Sequence, residues 1–288
     1  MKARTIEASP DAGGARPGSP WAKYLAVSRN ALADALSWRA ELGLGLVATV
    51  GKLLIALALW SAILAGRPEV GGMGLAAMAS YYLVAVFVAQ LDRSSAMVDV
   101  FAQEIRSGSF CKYLARPVDP LAWFLSASLG KSAFQACLTA AATAACGLAL
   151  SGLIAPPDPL GLAAAAAVVL LGLLALALVN FITGILAFAF MDIGAFNIGK
   201  NCVIEFLSGA LIPLALMPAW ARRVLELTPF PALASLPAEL ILGSARGGVG
   251  LEVLPGALLR LALWDIALVI AARASFKALS GRYEEAGS

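Results

Sequence analysis

Apolar residues along this chain gather into long runs, each set off by a short polar or glycine- and proline-rich stretch. A helix needs ~20 apolar residues to cross the hydrocarbon core of a bilayer, which is about 30 Å thick. By that measure about six spans are predicted, at 43–65, 72–91, 122–152, 160–190, 199–219 and 251–272. The third is longer than a bilayer needs, so its start is placed at the membrane surface. The fifth contains Pro213 and Pro218, residues that interrupt a helix. The fold class is therefore an all-α polytopic membrane domain occupying 21–288 as one unit.

The stretches between the spans carry structure of their own. Residues 1–20 are polar and rich in Gly, Pro and Ala, and they lack the apolar core of a secretory signal. They read as a disordered cytoplasmic tail. In 21–41, Trp21, Tyr24, Leu25, Ser28, Leu32, Ala35, Leu36 and Arg39 share one helical face. This predicts an amphipathic helix lying in the membrane surface, although a helix packed on a partner fits the same spacing. Loop 92–121 is polar with short helical signals. Loop 220–250 is apolar but interrupted by Pro229, Pro231 and Pro237, and is predicted to re-enter the membrane or lie along its outer surface. Irregular backbone at that depth survives only inside protein or beside water. A broken fifth span followed by such a loop therefore predicts a lined cavity or gate.

Composition supports the membrane reading. The chain is 60% hydrophobic and 14% charged, against about 45–50% and about 25% in soluble domains. A net charge of +3 is too small to imply a nucleic-acid partner. The positions of Lys and Arg matter more, because they set orientation. Lys2, Arg4, Arg16, Lys23, Arg29 and Arg39 precede the first span, Arg93, Arg106, Lys112 and Arg116 lie in loop 92–121, Lys200 follows the fourth span, and Arg273, Lys277 and Arg282 end the chain. They outnumber Arg67, Arg222, Arg223 and Arg246 on the other side, so both termini are placed in the cytoplasm.

Histidine is absent, which removes His-based metal sites and Ser-His or Cys-His catalysis. Cys111, Cys137, Cys146 and Cys202 form no C-x-x-C pair and read as small buried hydrophobes. No catalytic, cofactor-binding or metal residue is assigned. Gly130-Lys131-Ser132 looks like the end of a phosphate-binding loop, but Leu125 stands where that motif needs glycine. Any ATP-driven step must then use an ATPase on another chain. Ser208-Gly209 lacks the preceding glycine of a nucleophile turn, since Phe206 is there, and no histidine could act as its base. Lys52 and Asp265 fall at matching depth in the first and sixth spans, and an ion pair between them is predicted; a Lys52 that snorkels accounts for its position equally well. No span carries an array of carboxylates suited to ion coupling, which weighs against an ATP-independent carrier or channel, the competing functional reading.

Three stretches together resemble the membrane subunits of type 2 ATP-binding-cassette (ABC) exporters. The run from Glu104 through Ile105, Arg106, Gly108, Arg116 and Pro117 to Pro120 is similar to that family's charged loop. Ser208, Gly209, Pro213, Pro218, Pro229, Phe230 and Pro237-Ala238-Glu239 resemble its broken external region, and Arg282-Tyr-Glu-Glu its tail. The resemblance implies a permease in a bacterial inner membrane, bound to a partner ABC ATPase that holds ATP and Mg. It also implies a second permease subunit, identical or related, in the lipid bilayer. It assigns Glu104, Ile105, Arg106, Gly108, Arg116 and Pro117 to an ATPase-coupling helix and loop. It assigns Ser208, Gly209, Pro213, Pro218 and Phe230 to an external gate. In the residues themselves, Gly108 is expected to end the charged helix, and Arg116-Pro117 and Pro120 to fix the return into the third span.

Overall fold

The computed structural model describes residues 22–37, 39–110, 119–149, 159–190, 193–243 and 250–286. The tail 1–20, Trp21, Cys111, Arg116, Pro117, Asp192, Arg246 and Gly287 lie outside the described residues. Ten α-helices are described: α1 (Ala22–Ser37), α2 (Arg39–Ile63), α3 (Leu75–Ala89), α4 (Ser95–Arg106), α5 (Pro120–Ala149), α6 (Pro159–Ile185), α7 (Gly194–Leu207), α8 (Ala219–Glu226), α9 (Ser235–Leu242) and α10 (Leu254–Ala286). Short 3-10 turns at Leu186–Phe188, Leu214–Leu216, Phe230–Leu233 and Leu251–Val253 join them.

Among the described residues, three stretches are long and apolar enough to cross a membrane: Pro120–Ala149, Pro159–Phe188 and Leu251–Ser280. Val47–Ile63 and Leu75–Ala89 are shorter apolar helices. The expected fifth span departs most from its prediction. Its helix stops at Leu207 rather than running to 219, at a length of ~21 Å for 1.5 Å per residue. The stop is set by Gly209, at φ +83°, several residues before the prolines expected to cause it.

The central helix is α6, which packs against α4, α9 and α10. Between apolar helices in lipid, close fit takes the place of the hydrophobic effect, and small residues permit it. Ala164, Ala165 and Val168 of α6 accordingly meet Ala232, Leu240 and Leu261. A Cβ on Gly172 would lie 2.8 Å from that of Ala232.

At the other end, Phe101, Phe110, Phe124 and Phe181 form a buried aromatic knot. The ring centroids of Phe101–Phe124, Phe124–Phe181 and Phe101–Phe110 are 5.2, 5.5 and 5.6 Å apart. All three contacts are edge-on, the arrangement that ring quadrupoles favour.

Helix α1 lies along α5, so the surface helix of the sequence reading has an intramolecular partner. The crossing point is Gly130, where a Cβ would overlap the Ser28 carbonyl oxygen and sit 2.9 Å from its carbon. Gly130 thus serves a helix crossing. At the start of α5, Pro120 takes the first helical position and Asp119 Oδ1 accepts from the Leu121 amide at 3.1 Å. This is the arrangement that proline at N1 and aspartate at N-cap favour.

Two of the four cysteines depart from expectation. Cys137 and Cys202 are exposed, and Cys146 is partly so. On helices whose outer faces meet lipid, a small apolar side chain has no need of burial.

Candidate functional site

Helix α4 opens the segment that sequence similarity ties to ATPase coupling. It stops at Arg106, and Gly108 follows at φ +73°, with its amide donating to Ile105 O at 3.2 Å and the Phe110 amide to Glu104 O at 3.1 Å. A residue without Cβ is needed there to turn the chain under its own carbonyls. Arg106 is exposed, Glu104 is half-buried and Ile105 is buried. The other face of α4 is one the loop reading missed: Met97, Val98, Phe101, Ala102 and Ile105 are all buried against α6 and its neighbours. The signal was available as an apolar stripe at helical spacing.

A polar tie fixes the start of α4. Asp92 Oδ1 accepts from the Ser94 amide at 2.9 Å, and its Oδ2 from Ser95 Oγ at 2.5 Å. Asn180, fully buried on α6, donates through Nδ2 to Ser94 Oγ at 2.7 Å and Ser95 Oγ at 3.2 Å. Its Oδ1 accepts from Lys200 Nζ of α7. Next to this, Arg93 donates to Gln135 Oε1 of α5. The α3–α4 corner is thereby bound to α5, α6 and α7 together. Buried polar groups that all find partners rigidify the elements they join.

The broken end of α7 is held just as tightly. Tyr81 of α3 donates to Gly209 O at 2.8 Å and Tyr82 to Leu211 O at 2.9 Å. Ser235 of α9 donates to Ser208 O through its amide at 3.1 Å and its hydroxyl at 2.9 Å. The carbonyls released where the helix ends thus bond to α3 and α9, as irregular backbone in a membrane requires. Ser208, Gly209 and Pro213 are buried at this junction, while Pro218 is exposed and leads into α8. Phe230 packs instead with Leu176, Ile204 and Leu233, between α6 and α7. Tyr81, Tyr82 and Ser235 were not picked out from sequence.

Between α8, α9 and the start of α10 lies a cavity of about 180 Å³ lined by Arg222, Glu226, Ser235, Glu239 and Arg260. Arg222 Nε meets Glu226 Oε1 at 2.7 Å, and Arg222 Nη2 lies 3.7 Å from Glu239 Oε2. Burial pushes the Glu239 carboxyl up to about 7, and the Arg222 charge only partly opposes it. Because the folded value lies above the ordinary one, the stabilisation from this group is complete below about pH 4.5 and is lost as pH rises through about 7. Amide hydrogen-exchange protection over 219–242 is therefore expected to fall between about pH 4.5 and about pH 7 and to level off above it. Glu239→Gln should flatten that dependence; an unchanged slope in the variant would assign it elsewhere.

The predicted Lys52–Asp265 pair is not formed. Lys52 is exposed on α2, whereas Asp265 is buried on α10 with neither carboxyl oxygen hydrogen-bonded.

Apolar helices packed around a central one, with one helix broken at Gly209, are the frame of many membrane proteins. The chain belongs to a known family of them: the family described as ABC-2 family transporter protein matches residues 49–287, from within α2 to the end of α10. It is thus a membrane-embedded permease component of the ABC class, a family that acts with an ABC ATPase component. No curated protein matches the chain.

Proposed function

We propose that this chain is the membrane-spanning subunit of an ATP-driven exporter. In this reading a separate ATPase holds ATP and Mg and contacts Glu104, Ile105, Arg106, Gly108, Arg116 and Pro117. Two such permeases, identical or paired with a homologue, sit in the inner membrane with their termini in the cytoplasm. The substrate passes between them along α2, α3 and α7, and the turn at Ser208–Pro213 with Phe230 closes the external end. Export as the direction rests on the resemblance to exporters.

The observation that carries the reading is the Asp92–Ser94–Ser95–Asn180–Lys200 tie. It binds the root of the coupling segment to the helix that ends at the gate. A push on α4 therefore reaches α7 through hydrogen bonds and packed rings.

Purification in mild detergent provides the test. Wild type is expected to bring down a nucleotide-hydrolysing partner, and the Arg106→Glu, Arg116→Glu double variant to lose it by charge reversal. A well-folded wild type that recovers no ATPase would leave the ATP-independent carrier or channel as the better account.

A further inference from the structure

The cavity beside Arg222 does not end in a polar wall. Arg260 lines it and also lines a second, more open groove of about 380 Å³ with Gly256, Leu259, Leu263, Trp264 and Ala267. One site carries charged side chains among apolar ones such as Leu214 and Leu236, the other is lined almost wholly by apolar residues, and a single guanidinium joins them. The two arginines of the first cavity are unequally engaged by its two glutamates. Arg222 is engaged by Glu226 at 2.7 Å and faces Glu239 at 3.7 Å. Arg260 has no such partner among the described residues, and its Nε is buried without a hydrogen bond. A buried guanidinium N–H left unmade carries a desolvation cost that an anionic oxygen would relieve.

The apolar groove lies on the outer face of α10. Leu259 and Leu263 are 64% and 59% exposed, so the groove opens outward from the bundle and not into its core. Trp264 is fixed as one wall because its indole N–H donates to Leu227 O at 2.7 Å, next to the end of α8. Arg260 sits ~9 Å along α10 from Leu254 at 1.5 Å per residue, within reach of a headgroup for a side chain that snorkels.

We propose that this place holds an anionic membrane phospholipid, its phosphate on Arg260 and its chain along Leu259, Leu263 and Trp264. The unpaired cation selects an anionic head, and the continuous apolar groove selects an attached hydrocarbon chain over a free anion. Placement in the outer leaflet rests on the proposed orientation; the binding does not.

Native mass spectrometry of the full chain, titrated with phosphatidylglycerol or with phosphatidylcholine of the same chains, tests it. Wild type is expected to retain one phosphatidylglycerol at about tenfold lower lipid concentration than phosphatidylcholine, the scale of one charge-assisted contact. Arg260→Gln should abolish that preference, and Arg260→Lys should keep part of it. Leu263→Trp, at an exposed position outside the core, should fill the groove and weaken retention without unfolding the chain. Inorganic phosphate should not displace the lipid.

Equal retention of the two lipids, a preference surviving in Arg260→Gln, or displacement by inorganic phosphate would overturn the proposal. So would cross-links showing the groove covered by a second copy. Labelling of a cysteine introduced at exposed Val253 from outside sealed cells reads the orientation separately. A wrong leaflet and a wrong ligand therefore give different results.

Discussion

Replacing Gly209 by alanine is expected to release the C-terminal end of α7 while leaving the α4 end of the bundle intact. Gly209 sits at φ +83°, where an L side chain is strained by about 1–2 kcal/mol. An added Cβ would also lie 2.5 Å from Leu214 Cδ1, 2.9 Å from Tyr81 Oη and 3.1 Å from Ser235 Cβ. Leu214 can turn away, but Tyr81 and Ser235 are the groups that hold the Gly209 and Ser208 carbonyls. Relieving the overlap therefore breaks the junction, and the combined cost is roughly 3 kcal/mol.

Hydrogen exchange is expected to rise by about two orders of magnitude over 208–216 and 235–242, since each 1.4 kcal/mol is a factor of ten. The control is Gly66→Ala, where φ is +85° but nothing lies within 4 Å. It carries the backbone strain without the overlap and should leave both segments protected. If the two variants behave alike, the contacts of Tyr81 and Ser235 do not hold the junction. Under the proposed function, Gly209→Ala should also uncouple transport from ATP hydrolysis.

The legibility of this arrangement in sequence divides along physical lines. Apolar runs announce membrane helices because lipid imposes both length and composition on them, so α5, α6 and α10 were all anticipated. The stop at Gly108 was legible because a helix end needs a residue that tolerates positive φ. The stop at Gly209 obeys the same rule but was hidden: the apolar run continues past it, and the two prolines beyond drew attention.

Contacts between distant segments left weaker traces. Asn180 and Ser94 are 86 positions apart, and a serine after a span end is common. The acceptors of Tyr81 and Tyr82 are backbone carbonyls, which every residue has. The Lys52–Asp265 expectation failed because depth along a helix can be counted from sequence, while the direction a side chain faces depends on how the helices are rotated in the bundle. Gly130 shows the converse. Its neighbours imitate a phosphate-binding motif, yet its role is the absence of a side chain where Ser28 crosses.

Substituting Asn180 by leucine, of similar size, should be the most damaging single change at the α4 end of the bundle. The amide bonds Ser94, Ser95 and Lys200 at once, and leucine can bond none of them. The Lys200 ammonium would lose its acceptor, with only the nearby Asp92 and Asp99 charges left to offset its burial. Leaving a partly buried donor without its acceptor costs about 1–3 kcal/mol. The variant should therefore unfold at markedly lower temperature in detergent, with exchange rising first in α4. Thr183→Val serves as the comparison. Thr183 is buried on the same helix but bonds only its own helix, at Val179 O, and its loss should cost about 1 kcal/mol or less.

Removing both partners distinguishes stability from transmission. In the Asn180→Leu, Lys200→Met double variant no orphaned charge remains, and replacing both groups of a pair can be nearly neutral. Thermal stability should return close to wild type. The link between α4 and α7 would still be absent, so ATP hydrolysis by the copurified partner should no longer alter cross-linking at the Ser208–Ser235 junction. Restored coupling in the double variant would mean that packed rings alone transmit the motion, and that the polar tie only stabilises the bundle.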